Sequence, residues 1–175
     1  AQGDFPFLFV QIAPFQGMTP EIREAQLFTA QRVPRTAMAV ITDIGEDKNI
    51  HPTRKEPVGK RLALAARAIA YGEKIESSGP VYESAKFEDD RAILAFTHIG
   101  CGLMVKGETL KGFTLAGPDG KFVPAQARIE GDQVIVSGPE GVKPVAVRYG
   151  WTNTPVINLW NRDELPATPF RTDTK

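Results

Sequence analysis

The segment Asp43-Ile44-Gly45-Glu46-Asp47-Lys48-Asn49-Ile50-His51-Pro52 brings three carboxylates together with one of the chain's 2 histidines. An imidazole titrates near neutrality, so His51 is suited to take a proton and return it, and Pro52 restrains the chain beside it. A base of this kind needs a hydroxyl or thiol to activate and a group to orient its ring. Asp43, Glu46, Asp47 or a main-chain carbonyl are the candidates for orientation. Asp43 closes a strand and is rigidly placed, whereas Asp47 is nearer on a more mobile-looking loop. No serine precedes His51, and Ser77, Ser78, Ser84 and Ser137 all fall after the next helix; no Gly-x-Ser-x-Gly elbow occurs. A complete triad cannot be written from these residues.

Other residues with chemical potential have plainer readings. Cys101 lies between Gly100 and Gly102, close to His98, but one Cys and one His are too few ligands for zinc. The glycines fit a bulge or tight turn, Cys101 is expected as a small buried hydrophobe, and no helix follows to make a phosphate loop. Trp151 and Trp160 offer faces to a sugar ring, yet aromatics near strand ends are expected in packing. Arg23 and Gln26 are expected in packing or surface hydrogen bonds. Gln11, a polar break in an apolar strand, must find a partner there or face the active site.

These residues need a scaffold. Phe5–Ile12 is apolar on both faces, as in a strand of a parallel sheet. Thr19-Pro20-Glu21 supplies an N-cap, a first-turn proline and a first-turn acid, which predicts a helix to about Arg32 that Pro34 stops. Thr36–Thr42 reads as a second strand, and Pro57–Tyr71 as a second helix with Val58, Leu62, Ala65 and Ile69 on one face and Gly72 at its end. His51 then lies beyond the carboxyl end of a strand, where open α/β sheets gather ligands. Two parallel strands cannot cover both faces or hide both edges, so a further strand-bearing segment, or a second copy, is expected to complete the sheet. The start Ala1-Gln2-Gly3-Asp4, without Met or leader pattern, reads as an internal starting point.

After Ser77-Ser78-Gly79-Pro80 the helical period gives way to short alternating segments. These are Ala92–Thr97, Leu103–Lys106, Phe113–Ala116, Phe122–Ile129, Val134–Ser137 and Val145–Tyr149. Turns at 117–120, 131–132 and 138–141 separate them, which predicts an antiparallel β-sandwich. From Pro166 the tail is expected as irregular surface chain. The fold class is therefore α/β plus all-β, divided at 1–76 and 77–175.

Composition excludes several roles. Across 175 residues, 21 Lys+Arg balance 21 Asp+Glu. No cationic excess exists to neutralise nucleic-acid phosphates or to hold an anionic membrane surface. The apolar run Phe5–Phe15 is broken by Gln11 and Pro14 and is too short to span a bilayer. A single cysteine allows no internal disulfide, which leaves the redox compartment open.

Several segments together resemble one family. They are Pro6-Phe7-Leu8-Phe9-Val10-Gln11-Ile12-Ala13-Pro14, Arg23-Glu24-Ala25-Gln26, Thr42-Asp43-Ile44-Gly45, Asn49-Ile50-His51-Pro52, Gly59-Lys60-Arg61-Leu62-Ala63, Val147-Arg148-Tyr149-Gly150-Trp151, Asn158-Leu159 and Leu165–Asp173. In these the chain resembles the second half of a sialate O-acetylesterase, over essentially its whole length. The resemblance implies an SGNH-type serine hydrolase with a partial flavodoxin-like α/β unit, no cofactor, and hydrolysis of O-acetyl esters of sialic acids. It maps the general base onto His51. The motifs bearing the Ser nucleophile and the oxyanion Asn would lie before Ala1, in an N-terminal remainder of the same enzyme, so this chain alone is expected to be inactive. Many SGNH hydrolases have an aspartate three residues before the histidine, where this chain has Lys48. The family also suggests an exported enzyme meeting O-acetylated sialoglycans. Alternatives are an acetylxylan-type esterase of the same fold and a non-catalytic carbohydrate-binding or docking module.

Overall fold

The computed structural model describes residues 3–173. The chain enters β1 (Phe7–Val10), crosses through helix α1 (Pro20–Arg32) and returns in β2 (Thr36–Ala39), parallel to β1 with Phe7 opposite Thr36. Thr19 takes the extended N-cap conformation and Pro20 the first helical position, where its missing N–H costs nothing. Helix α2 (Glu56–Ile69) follows the His51 loop and lays Arg61 and Ala65 inward. Gly72, at φ +72 in the left-handed region, turns the chain just beyond it. Both helices match expectation closely. The strands are shorter than Phe5–Ile12 and Thr36–Thr42, because the paired ladder ends where each chain diverges into its loop. Phe5 and Phe7 are 60% and 54% exposed, so this side of β1 is not covered among the described residues.

The rest of the chain is antiparallel. One four-stranded sheet combines β3 (Val81–Phe87), β4 (Arg91–Thr97), β9 (Gln133–Ser137) and β8 (Gln126–Glu130), in that order. The other combines β12 (Phe170–Arg171), β10 (Ala146–Tyr149), β6 (Phe113–Ala116) and β7 (Phe122–Pro124), and β5 (Leu103–Val105) pairs with β11 (Leu159–Asn161). Strand β4 shows the period of two that one buried face demands: Ala92, Leu94 and Phe96 point inward between half-exposed neighbours. Inner residues of both large sheets, among them Leu94, Val136, Leu115, Val147 and Tyr149, share one buried cluster, a sandwich-like arrangement. Burial raises the Tyr149 phenol above its ordinary pKa, and its oxygen accepts the Leu159 N–H at 2.9 Å.

Four expectations are corrected. The tail from Pro166 is interior, with Ala167, Thr168 and Phe170 at most 3% exposed. Phe170 stacks on Tyr82 with ring centroids 4.6 Å apart, so local polarity misled where long-range packing decides. Phe122–Ile129 is two strands, β7 and β8, that join different sheets across Ala125. Strands β3 and β11 were not foreseen, since Val81–Phe87 is charged on its outer face and β11 is very short. Cys101 is exposed rather than buried, because its turn stands outside the core.

The two parts share an interior. Val81 of β3 joins Leu27, Met38 and Val40 in one cluster. Gly79 lies so close to Pro166 that an added Cβ would fall 1.9 Å from the Pro166 carbonyl oxygen, so only glycine allows this approach. Arg171 makes a bidentate pair with Glu24 of α1 at 2.9 and 2.8 Å, and Arg148 one with Asp173. Phe170→Ala is expected to cost about 3–5 kcal/mol in chemical denaturation, as for a core aromatic; a surface tail would lose almost nothing. The Arg148 guanidinium holds the Asp173 carboxyl below its usual range. Such a depressed group adds stability above its unfolded pKa and loses it as pH falls through its folded one. Melting temperature should therefore drop below about pH 4, and less steeply in Asp173→Asn.

Candidate active site

The carboxyl ends of β1 and β2 open into two loops, 11–18 and 40–55, and the second carries His51. Hydrogen bonds within the loop define its shape. The His51 N–H donates to Asn49 Oδ1 at 2.9 Å, the Thr53 N–H to Glu46 Oε1 at 2.7 Å, and the Asn49 N–H to the Glu46 carbonyl at 3.1 Å. The bond from Thr53 also lowers the Glu46 pKa, because it favours the charged carboxylate. Gly45 passes so close to Pro14 that a Cβ would lie 2.4 Å from the proline ring, which fixes the two loops against each other. The Gln16 N–H adds a bond to the Asp47 carbonyl at 3.1 Å.

His51 is exposed at the mouth of a cleft of about 230 Å³. Val10, Gln11, Ile12, Ile41, Lys55 and Val58 contribute to its walls, and no serine is among the lining residues. Ser77 and Ser78 follow α2 beyond its far end, and Ser84 and Ser137 lie on β3 and β9. The structure thus places His51 at a strand-end cleft whose lining, among the described residues, includes no serine.

The two aspartates singled out by sequence have different situations. Asp43 is engaged elsewhere: Arg61 of α2 grips it at 2.6 and 2.8 Å and also donates to the Val40 carbonyl at 2.8 Å. Both side chains of this pair are largely buried, 14% and 9% exposed. Asp47 is exposed on the His51 loop. Gln11 is 1% exposed and turns its amide away from bulk solvent, donating to Thr168 Oγ1 at 3.1 Å and to the Arg23 carbonyl at 3.4 Å. Arg23 is fully buried and donates to the Thr152 and Asn153 carbonyls, and desolvation lowers its pKa. Gln26 accepts the Ile12 N–H at 2.8 Å.

Sequence reasoning missed three features. His98, not His51, is the histidine with a carboxylate partner, its Nδ1 3.0 Å from Glu76 Oε1. The two are 22 positions apart, so no local pattern could reveal them. A larger hollow of about 630 Å³ separates α2 from β11, with Trp160 and Lys106 among its lining. Six of its ionic groups pair off as Asp43–Arg61, Glu56–Lys60 and Lys106–Glu164, Asp163 accepts the Cys101 N–H at 2.9 Å, and Arg54 stands apart from these pairs. Trp160 is 7% exposed, so its ring has no open face to offer a sugar, whereas Trp151 is only partly buried; the Lys106 ammonium lies 3.5 Å from the Trp160 ring centroid. The smaller cleft at the strand ends therefore remains the candidate site. Finally, the β part reaches the same rim, since Asn153 Nδ2 donates to the Gln16 carbonyl at 2.6 Å and the Phe15 N–H donates to the Asn153 carbonyl at 3.2 Å.

Comparison with known proteins now gives this geometry a family. No family model matches the chain. Among solved structures, a carbohydrate acetylesterase from Xanthomonas citri superposes with a TM-score of 0.91 at 48% identity, over 97% of this chain and 41% of the other. The chain is thus related to the carbohydrate esterases. The sialate O-acetylesterase of Mus musculus is 31% identical over 194 residues, 95% of this chain and 35% of its own length. That of Homo sapiens is 30% identical over 154 residues, 79% of this chain and 29% of its own. By sequence the chain belongs to the sialate O-acetylesterase family, spanning about a third of the length of these relatives.

One expectation separates anchoring from catalysis. Asp43→Ala leaves the Arg61 guanidinium buried without its counter-charge and is expected to cost about 3–5 kcal/mol, measured by urea denaturation. Asp47→Ala, an exposed change, should leave the midpoint within about 0.5 kcal/mol of the parent.

Proposed function

We propose that this chain is the C-terminal part of a carbohydrate O-acetylesterase of SGNH-like serine type, acting on O-acetylated sialic acids, with His51 as its general base. Residues 1–76 are on this reading the end of the catalytic α/β domain and residues 77–175 a β-sandwich domain. The observation that carries the reading is the position of His51, on a cross-braced loop beyond the carboxyl ends of two parallel strands, in a chain 48% identical to a carbohydrate acetylesterase.

The chemistry follows from that position. A serine from the preceding part of the enzyme attacks the acetyl carbonyl while His51 takes its proton, and backbone and Asn N–H donors hold the oxyanion. His51 returns the proton to the departing sugar hydroxyl, leaving an acetyl-serine. Water, deprotonated by His51, then cleaves that ester to acetate and restores the serine. Asp43 supports this at one remove, since its pair with Arg61 anchors the start of the loop. With Asp43 taken, orientation of the imidazole falls to Asp47, exposed on the loop itself, or to a main-chain carbonyl; neither is bonded to the ring among the described residues. Lys55, in the same cleft, supplies a cation for the carboxylate of a sialic acid.

A neutral substrate of the acetylxylan type is the second reading, since the relative at 48% identity is described only as a carbohydrate acetylesterase, with no sialic acid in its description. The chain alone should not hydrolyse p-nitrophenyl acetate. Addition of the N-terminal polypeptide carrying the nucleophile should restore hydrolysis. His51→Ala should then lower kcat by about 10²–10⁴-fold, and unchanged kcat would sink the assignment. Acetate release from O-acetylated sialic acid, compared with acetylated xylan, separates the two substrates.

A further inference from the structure

The two parts of the chain are tied together next to the His51 loop, because Asn153 bonds to the loop after β1 and that loop bonds to Asp47. Two residues before Asn153, Trp151 borders a hollow of about 150 Å³ together with Thr114, Gly150, Thr152, Pro155 and Val156. We propose that this hollow is a subsite for an uncharged pyranose ring of the glycan that bears the ester, so that the β part selects chain substrates over free acetylated sugars. The inference rests on the carbohydrate-esterase reading above.

Four observations converge on it. The hollow is smaller than the roughly 300–1,000 Å³ of a pocket that encloses a whole ligand, which suits a single ring of a longer chain. None of its lining residues is ionisable, and the Arg148 and Arg171 guanidiniums beside Trp151 are already paired with Asp173 and Glu24, so the hollow favours a neutral guest. The Thr114 and Thr152 hydroxyls supply polar handles beside an apolar wall, the mixed lining that a sugar's hydroxyls and C–H faces require. Val156, 74% exposed, extends that wall without cover among the described residues.

The aromatic is also fixed in advance. The Arg171 guanidinium lies 4.9 Å from the Trp151 ring centroid and that of Arg148 lies 5.9 Å from it. Both cations are themselves immobilised by bidentate pairs, with Glu24 and Asp173. A ring held this way loses little conformational freedom when a ligand arrives, which is the main benefit of preorganisation. The 630 Å³ hollow is lined largely by ionic groups, whereas the apolar wall here has no partner among the described residues.

The test is isothermal titration calorimetry of the 175-residue chain with xylohexaose, cellohexaose, lacto-N-tetraose and free N-acetylneuraminic acid. At least one neutral oligosaccharide should bind saturably below about 10 mM, and any binding of free N-acetylneuraminic acid, at the Lys55 cleft, should be indifferent to substitution of Trp151. Trp151→Ala should weaken binding about tenfold or more, with the fold checked by circular dichroism. Val156→Asp, at an exposed position that the fold tolerates, should weaken it several-fold independently. No saturable neutral binding, or binding indifferent to both substitutions, overturns the proposal. If the completed enzyme releases acetate from polymer yet neither substitution changes KM there relative to p-nitrophenyl acetate, the subsite falls and the esterase reading stands. If neutral glycans bind at Trp151 but the completed enzyme hydrolyses no acetyl ester, the esterase reading falls while the subsite remains.

Discussion

The buried guanidinium of Arg23 is the interaction on which the arrangement of this chain depends. It lies on α1 with no exposed surface; its Nη2 donates to the main-chain carbonyls of Thr152 and Asn153, which belong to the antiparallel part, while Nε and Nη1 have no partner among the described residues. A cation so placed has lost its hydration, and each hydrogen bond to a carbonyl offsets part of a large desolvation cost. The loop 151–156 is consequently held against α1. Through Asn153 it also holds the loop after β1, which in turn holds Asp47. A single side chain thus links the antiparallel part to the loop that carries His51.

The same economy governs the other charges near the seam. Arg61 ties Asp43 and the Val40 carbonyl to α2, and Arg171 ties Glu24 to β12. These are partly or wholly buried pairs with two-point geometry, the form in which an ion pair also fixes orientation. They explain how two short parallel strands hold a shaped strand-end cleft. The stiffness comes from side chains that reach across to the main chain of neighbouring elements. It does not come from the size of the sheet, which among the described residues has only one ladder.

Much of the scaffold was legible because its signals are local. Thr19-Pro20 and Gly72 mark helix ends through backbone preferences that need no tertiary partner, and β4 alternates because one face is wet. The candidate site was legible as a segment: one histidine, three carboxylates and a proline between a strand and a helix. Which carboxylate is free was not legible, because Asp43 meets a guanidinium 18 positions away. Nor was the fate of Arg23 and the tail, since the pattern of a polar or proline-rich stretch says nothing about what covers it.

Taken alone, the amino-acid order determined the strand–helix–strand–helix opening, the change to short antiparallel strands and the placing of His51 beyond a strand end. It did so because these depend on backbone chemistry and on periodicity over a few residues. The tertiary structure alone decided that Thr168 and Phe170 are interior, that Asp43 anchors α2, and that Asn153 bonds to the loop after β1. Each of those outcomes joins residues far apart in the chain. Their energies come from burial and two-point hydrogen bonding, which exist only once the distant surfaces have met.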